Sequence, residues 1–192
     1  MTVTLRKGGN VSLTKQVANL RAVSVGLGWA ARQTSGPEFD LDASALLVDA
    51  RGRVLSDEHF VFFNNLVSPD GSVQHTGDDL VGGSGGDDET INVDLTAVPP
   101  ECVSIVFAVS IYEAESRRQN FGQIRDAYIR VIDQVTGSEI TRYDLVEDAA
   151  TETAMIFGEV YRYDGEWKFR AVGQGYDDGL AGIARNYGVN VG

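Results

Sequence analysis

"MIFGEVYRYDGEWKFRAVGQGY", residues 155–176, is a pair of alternating runs joined by Asp164-Gly165. Asp-Gly accepts the left-handed backbone of a two-residue hairpin turn, and alternation of apolar with polar residues is the period of a half-buried strand. The segment predicts an antiparallel hairpin, and the same pattern extends outward from it. In "AVSVGLGWA" (22–30), Val23, Val25, Leu27 and Trp29 face one way, and Ser24, Gly26 and Gly28 the other. In "VSIVFAVSIY" (103–112), Val103, Ile105, Phe107, Val109 and Ile111 make the apolar row.

Three further stretches read as strand, turn and return. They are "ASALLVDARGRVL" (43–55) with its turn at Asp49 to Gly52, and "HFVFFNNLVSPDGSVQHTG" (59–77) with Pro69-Asp70-Gly71. The third is "FGQIRDAYIRVIDQVTGSEITRYDL" (121–145), turning near Thr136-Gly137-Ser138. Many strands without strand–helix–strand alternation predict an all-β protein, a two-sheet antiparallel β-sandwich. A barrel is the second choice. "DGLAGIARNYG" (178–188) adds a short C-terminal helix with Leu180, Ile183, Ala184 and Tyr187 on one side. With 192 residues and no internal repeat, a single domain over 1–192 is expected.

The formal charge of −12 argues against non-specific nucleic-acid binding, which needs basic surface, and makes anionic membranes unfavourable unless a cation bridges the two. No stretch approaches a membrane span or a signal peptide, so a cytoplasmic protein without membrane insertion is expected. The lone Cys102 allows no intrachain disulfide and, following "VPPE" at the start of an apolar strand, reads as a small buried residue.

Two segments carry chemistry. In an extended "EFDLDAS" (38–44), Glu38, Asp40, Asp42 and Ser44 share one face at about 7 Å spacing, a repulsive row unless something positive sits among them. "ALLV" then enters the core, so these acids lie at one end of the sandwich. "HTGDDLVGGSGGDDETI" (75–91) gathers Asp78, Asp79, Asp87, Asp88 and Glu89 around glycines that let backbone carbonyls turn inward. Asn64 and Asn65 offer neutral oxygens. Such a donor set suits a hard cation such as Ca²⁺, not the softer metals that favour His and Cys. The EF-hand pattern fails, because with Asp78 as the first position the third is Leu80. A solvated acidic loop guarding a sheet edge fits these residues equally well.

No phosphate loop is present: neither glycine-rich stretch is followed by GK[ST]. His59 reads as a strand-edge residue, and His75 as a support for the adjacent acidic loop. Arg117 and Arg118 could neutralise an acidic cluster, with Glu113 joining it. No nucleophile, base and orienting partner stand together in the sequence, so an enzyme is not expected.

The chain resembles the TerD family of tellurium-resistance and stress-response proteins along essentially its full length. The segments that carry the resemblance include "LRKGGNVSL", "VGLGW", "FDLDASALLV", "FFNNL", "DGSVQHTGDD", "GGDDETI", "EAESRRQNFGQI", "ETAMIFGEVYR" and "EWKFRAVGQGYDDGLAGIA". The resemblance implies a calcium-binding β-sandwich with two adjacent sites. The matching residues are Asp40, Asp42, Asp78, Asp88 and Glu89, with Asn65 and Asp87 as further ligands and Asp79 as a compensating one. The chain departs from the family where the loop interior reads Gly82-Gly83-Ser84-Gly85-Gly86 rather than carrying more acids. Fewer charges imply weaker affinity, or one ion instead of two. The resemblance also implies partners among other tellurium-resistance proteins, some of them membrane-associated. One cysteine is too few for direct tellurite reduction. A sensor or scaffold is therefore the leading expectation. A metal-independent acidic interaction module and a metal-assisted hydrolase stand as alternatives.

Overall fold

The computed structural model describes residues 1–31, 34–76, 86–145 and 151–191. Two six-stranded sheets face each other. The first runs, in spatial order, β1 (Val3–Leu5), β10 (Glu139–Asp144), β9 (Tyr128–Asp133), β3 (Ala22–Gly28), β7 (Glu89–Asp94) and β6 (Val73–His75). The second runs β2 (Asn10–Ser12), β12 (Glu166–Tyr176), β11 (Ala154–Tyr163), β8 (Ser104–Ile111), β4 (Leu41–Val48) and β5 (Phe60–Val61). All pairings are antiparallel except β1 with β10, which is parallel. The expected sandwich is present, with one parallel edge pair that the turn pattern did not foretell.

The hairpin β11–β12 closes at Asp164 and Gly165, whose φ angles of 51° and 75° are the left-handed pair that their side chains tolerate. β9 and β10 form the other predicted hairpin. The first return is short: after the turn at Asp49 to Gly52 it consists of a Val48–Val54 bridge and the bonds from the Asp49 N–H to the Arg53 carbonyl and from the Leu55 N–H to the Leu47 carbonyl. The second keeps its turn, but its two named strands do not pair with each other. "HFVFF" supplies β5 to the second sheet, whereas "SVQH" supplies β6 to the first. The segment folds back locally over Leu66–His75, with a Val67–Gln74 bridge, and also crosses between the sheets. Asn65 sets that crossing: its Nδ2 donates to the carbonyls of Glu58 (3.0 Å) and Phe60 (2.8 Å).

Inward residues of both sheets form the main core, including Val23, Val25, Leu27, Ile91, Ile105, Phe107 and Phe169. A second apolar layer lies on the outer face of the second sheet. There Leu46, Val48, Val106, Ala108 and Ile156 meet Ile183 and Ala184 of α3 (Gly179–Asn186), the expected C-terminal helix. β4 and β8 are consequently buried on both faces, which is why "ALLV" and "SIVFAVSI" do not alternate cleanly. Burying Ile183 fully contributes about 1.5–3 kcal/mol to holding the helix down.

Candidate metal centre at the acidic end of the sandwich

β4 carries its two faces into different surroundings. Leu41, Ala43, Ala45 and Leu47 enter the main core, while Leu46 and Val48 lie under α3. Strand alternation puts Asp42 and Ser44 on the α3 side. The expected row of four is shorter than the sequence suggested: β4 begins at Leu41, and Glu38 stays exposed ahead of it. Asp40 and Asp42 are nonetheless buried, at 8% and 7% exposure.

The partner strand β5 is only two residues long, and its pairing with β4 stops at Ala45–Val61. Beyond it the β4 edge would present a buried, unsatisfied N–H at Ala43. Glu89 supplies the acceptor. It is the first residue of β7 in the opposite sheet and, like Ile91 and Val93, points inward. The Ala43 N–H donates to Glu89 Oε2 at 3.0 Å, and His75 Nε2 lies 2.9 Å from the same oxygen. Glu89 and His75 are each 2% exposed. His75 sits on β6 beside β7, and its own N–H reaches the carbonyl of Leu66. The support role expected of His75 is the one it occupies. Asp88 is buried next to Glu89, and its Oδ2 accepts the Trp29 N–H at 2.9 Å. Asp40 and Asp42 thus stand at the β4 end whose Ala43 N–H Glu89 holds, and Asp88 and Glu89 lead into β7 beside the β3 end at Trp29.

Asp87 goes elsewhere. Its Oδ1 accepts Arg130 Nε at 2.7 Å and Tyr128 OH at 2.8 Å, on the outer face of the first sheet. Arg130 also reaches Glu139 at 3.0 Å. The "GLG" of β3 makes this possible. Gly26 pairs with Arg130 and Gly28 with Tyr128 across the β3–β9 ladder. A Cβ at Gly26 would run into the Asp87 carboxylate, and one at Gly28 into the Tyr128 ring. The hydrogen bond to Asp87 holds the Arg130 pKa above its ordinary value, and burial together with Asp87 raises that of Tyr128. Arg142 stacks on the Tyr128 ring at 3.9 Å and completes the cluster.

The eight sequence candidates thus separate. Asp40, Asp42, Asp88 and Glu89 are buried at the β4 and β7 ends that the Ala43–Glu89 bond joins. Asp87 is held by Arg130, and the Nδ2 of Asn65 is held by the carbonyls of Glu58 and Phe60. Asp78 and Asp79 lie outside the described residues. Among the described residues, no three His, Cys, Asp or Glu side chains form a group arranged to hold a metal ion. These four buried carboxylates are still all hard oxygen donors. Their chemistry suits a hard cation such as Ca²⁺ and not a metal that prefers thiolate or imidazole. Arg117 does not neutralise this cluster. It pairs with Glu113 at 3.5 Å across the short helix α2 (Ala114–Arg117) and stacks on Tyr112. Sequence reasoning missed Trp29, whose backbone holds Asp88, because a main-chain donor leaves no mark in residue identity. Arg130 and Tyr128 were legible in principle, as polar outward residues opposite two glycines.

Among the described residues no helix is long and apolar enough to cross a membrane. Comparison with known proteins agrees with the segments quoted above. The model of the TerD domain matches residues 1–187. The chain is 56% identical to tellurium resistance protein TerD of Serratia marcescens over 190 residues, covering 99% of each. It is 49% identical to general stress protein 16U of Bacillus subtilis (strain 168), covering all of both chains. Among solved structures, the protein of unknown function SAV2460 superposes with a TM-score of 0.71 at 26% identity, over 86% of this chain and 95% of that one. A homologue of telluride resistance protein from Streptomyces coelicolor A3(2) shares the fold, with a TM-score of 0.67 at 23% identity over 86% and 96%. The chain belongs to the TerD family of tellurium-resistance and general stress proteins.

Proposed function

We propose that this chain is a cytoplasmic calcium-binding protein that acts as a sensor or scaffold in the tellurite and stress response. What supports the reading is the burial of four carboxylates at the β4 and β7 ends that the Ala43–Glu89 hydrogen bond joins. Asp40, Asp42, Asp88 and Glu89 would hold the ion together with oxygens from the acid-glycine loop. A bound divalent cation would supply positive charge where like charges otherwise repel, and would tie that loop to the β4 edge. Loop order would then report calcium to protein partners, among them other tellurium-resistance proteins, some membrane-associated. No catalytic step is assigned to this end of the molecule.

Calorimetric titration of chelator-treated protein with CaCl₂ tests the reading. Saturable binding of one or two ions is expected, with Mg²⁺ much weaker. At a hundredfold excess over Kd, calcium should stabilise the fold by about 2.7 kcal/mol. Asp40→Ala combined with Asp42→Ala should abolish the tight phase. Equal heats for that double variant and the parent chain would remove these two residues from the ligand set, and absence of binding would end the proposal. The acidic interaction module survives only if partner association persists in chelator.

A further inference from the structure

His59 occupies a position that the sequence did not foretell. Ser56 precedes the 3-10 turn Asp57–His59, and its side chain does not cap that turn. Its Oγ lies 2.7 Å from His59 Nδ1 instead. The opposite ring nitrogen, Nε2, stands 3.2 Å from Asp70 Oδ2, at ion-pair distance though off the line of a well-aligned hydrogen bond. The other oxygen of Asp70 is fixed: Oδ1 accepts Ser68 Oγ at 3.0 Å and the Ser72 N–H at 2.8 Å. A hydroxyl, an imidazole and an anchored carboxylate thus stand in line. The His59 and Asp70 side chains are only 14% and 18% exposed. A hydroxyl joined to a base that a third group orients is the arrangement of an activated nucleophile, and it is recognised by geometry, not by chain position.

We propose that Ser56, His59 and Asp70 form a nucleophilic site that cleaves small esters with apolar acyl groups. The acyl class follows from the adjoining groove. Asp57, directly after Ser56, borders a cavity of about 410 Å³ that is lined by Phe60, Phe62, Leu180, Ala184 and Val189. Phe60 and Phe62 stack at 4.6 Å along it. Its size falls at the small end of ligand pockets. This site is separate from the carboxylate cluster and needs no metal.

The step balances with water as the only co-reactant. Ser56 Oγ bonds to the carbonyl carbon while its proton passes to His59 Nδ1. The ester C–O bond breaks, and the leaving alcohol takes that proton. Water then attacks the acyl-serine, its proton goes to His59, and Ser56 Oγ departs and is reprotonated. Asp70 is a positioning residue: its carboxylate faces Nε2 and favours the tautomer that leaves Nδ1 free to accept. Apo contacts of this kind tighten when substrate binds. Glu58 competes, because the single Ser56 proton can go to Glu58 Oε2 at 2.8 Å instead of to His59.

The test uses the full chain, in chelator and in calcium, with p-nitrophenyl acetate and butyrate and an alkyl fluorophosphonate. The expected result is a covalent phosphonyl adduct on Ser56, located by peptide mass spectrometry, with loss of fluoride. Ester turnover should fall about a hundredfold in His59→Ala, the usual scale of general-base catalysis, and to background in Ser56→Ala. Glu58→Gln at the exposed competitor should raise the rate. Asp70→Asn should lower kcat per active site, counted by fluorophosphonate titration, and alter the pH–rate profile, which loss of folded protein would not do. Turnover in Ser56→Ala at the parent rate would assign the reaction to imidazole alone and overturn the proposal. If Ser56→Ala does not fold, adduct mapping on the parent chain decides: a Ser56 adduct supports the site, and its absence overturns it.

Discussion

Glu89, the first residue of β7, accepts the main-chain N–H of Ala43 on β4 of the opposite sheet at 3.0 Å. The bond closes an edge that the two-residue β5 is too short to cover. Removing one partner of a buried hydrogen bond leaves the other desolvated, at a cost of about 1–3 kcal/mol. Glu89→Ala should therefore lower the urea midpoint in chelator by that amount, with the slope unchanged. Glu89→Gln, which keeps an acceptor, should lose less. A Glu89→Ala midpoint equal to that of the parent would show that the contact contributes nothing.

The glycines of "VGLGW" make a second prediction, in which the sign depends on the neighbour. Gly26→Ala forces the Asp87 carboxylate away from Arg130. Hydrogen bonds to charged groups contribute about 1.5–3 kcal/mol, and Arg130, 28% exposed on its side chain, belongs at the lower end. Alanine in a strand otherwise gains about 0.5–1 kcal/mol over glycine. Gly26→Ala alone should destabilise by about 1 kcal/mol. In an Asp87→Ala background the same change should become neutral or stabilising. A double-mutant cycle read by thermal or urea denaturation checks this, and strict additivity would refute it.

The strands of the two hairpins were legible because each is polar on one side and apolar on the other. β4 and β8 were harder: α3 covers their outer face, so burial on both sides erases the alternation. The passage from Phe60 to His75 was legible in part: the turn at Pro69-Asp70-Gly71 does close a return over Leu66–His75, but it does not pair β5 with β6. The partners of its two strands come instead from β4 and β7, far away in sequence. At the acidic end, the residue types announced oxygen donors but not their targets. Asp87 and Asp88 are adjacent, so their side chains leave the chain in different directions, one to Arg130 and the other to Trp29. Ser56, His59 and Asp70 were invisible as a set because the second turn places Asp70 beside the first only after folding.

Cys102 gives a third prediction. It is fully buried, its Sγ lies 3.3 Å from the Ser104 carbonyl, and burial pushes its pKa up to about 11. The thiolate is the reactive form. The native protein at pH 8 should react with a disulfide reagent far more slowly than the urea-unfolded chain, which should release one equivalent promptly. Equal rates in the two states would contradict the burial.

Asp70 links the turn at Ser68–Ser72 to stability through pH. Burial alone would raise its pKa, but the bonds from Ser72 and Ser68 outweigh it and hold the group below its ordinary 3.8. The ionised form is thus the one the fold prefers. A carboxylate with a depressed folded pKa contributes stability that is complete above its unfolded pKa and is lost as pH falls through the folded one. Asp70→Asn should therefore cost about 0.5–1.5 kcal/mol at pH 7, the scale of a hydrogen bond. The gap should stay constant down to roughly pH 5 and narrow below about pH 4, as the parent chain becomes protonated on unfolding. Urea denaturation of both proteins across that range reads it directly. A gap that persists undiminished in acid would assign the loss to packing of the turn, not to the charge of Asp70.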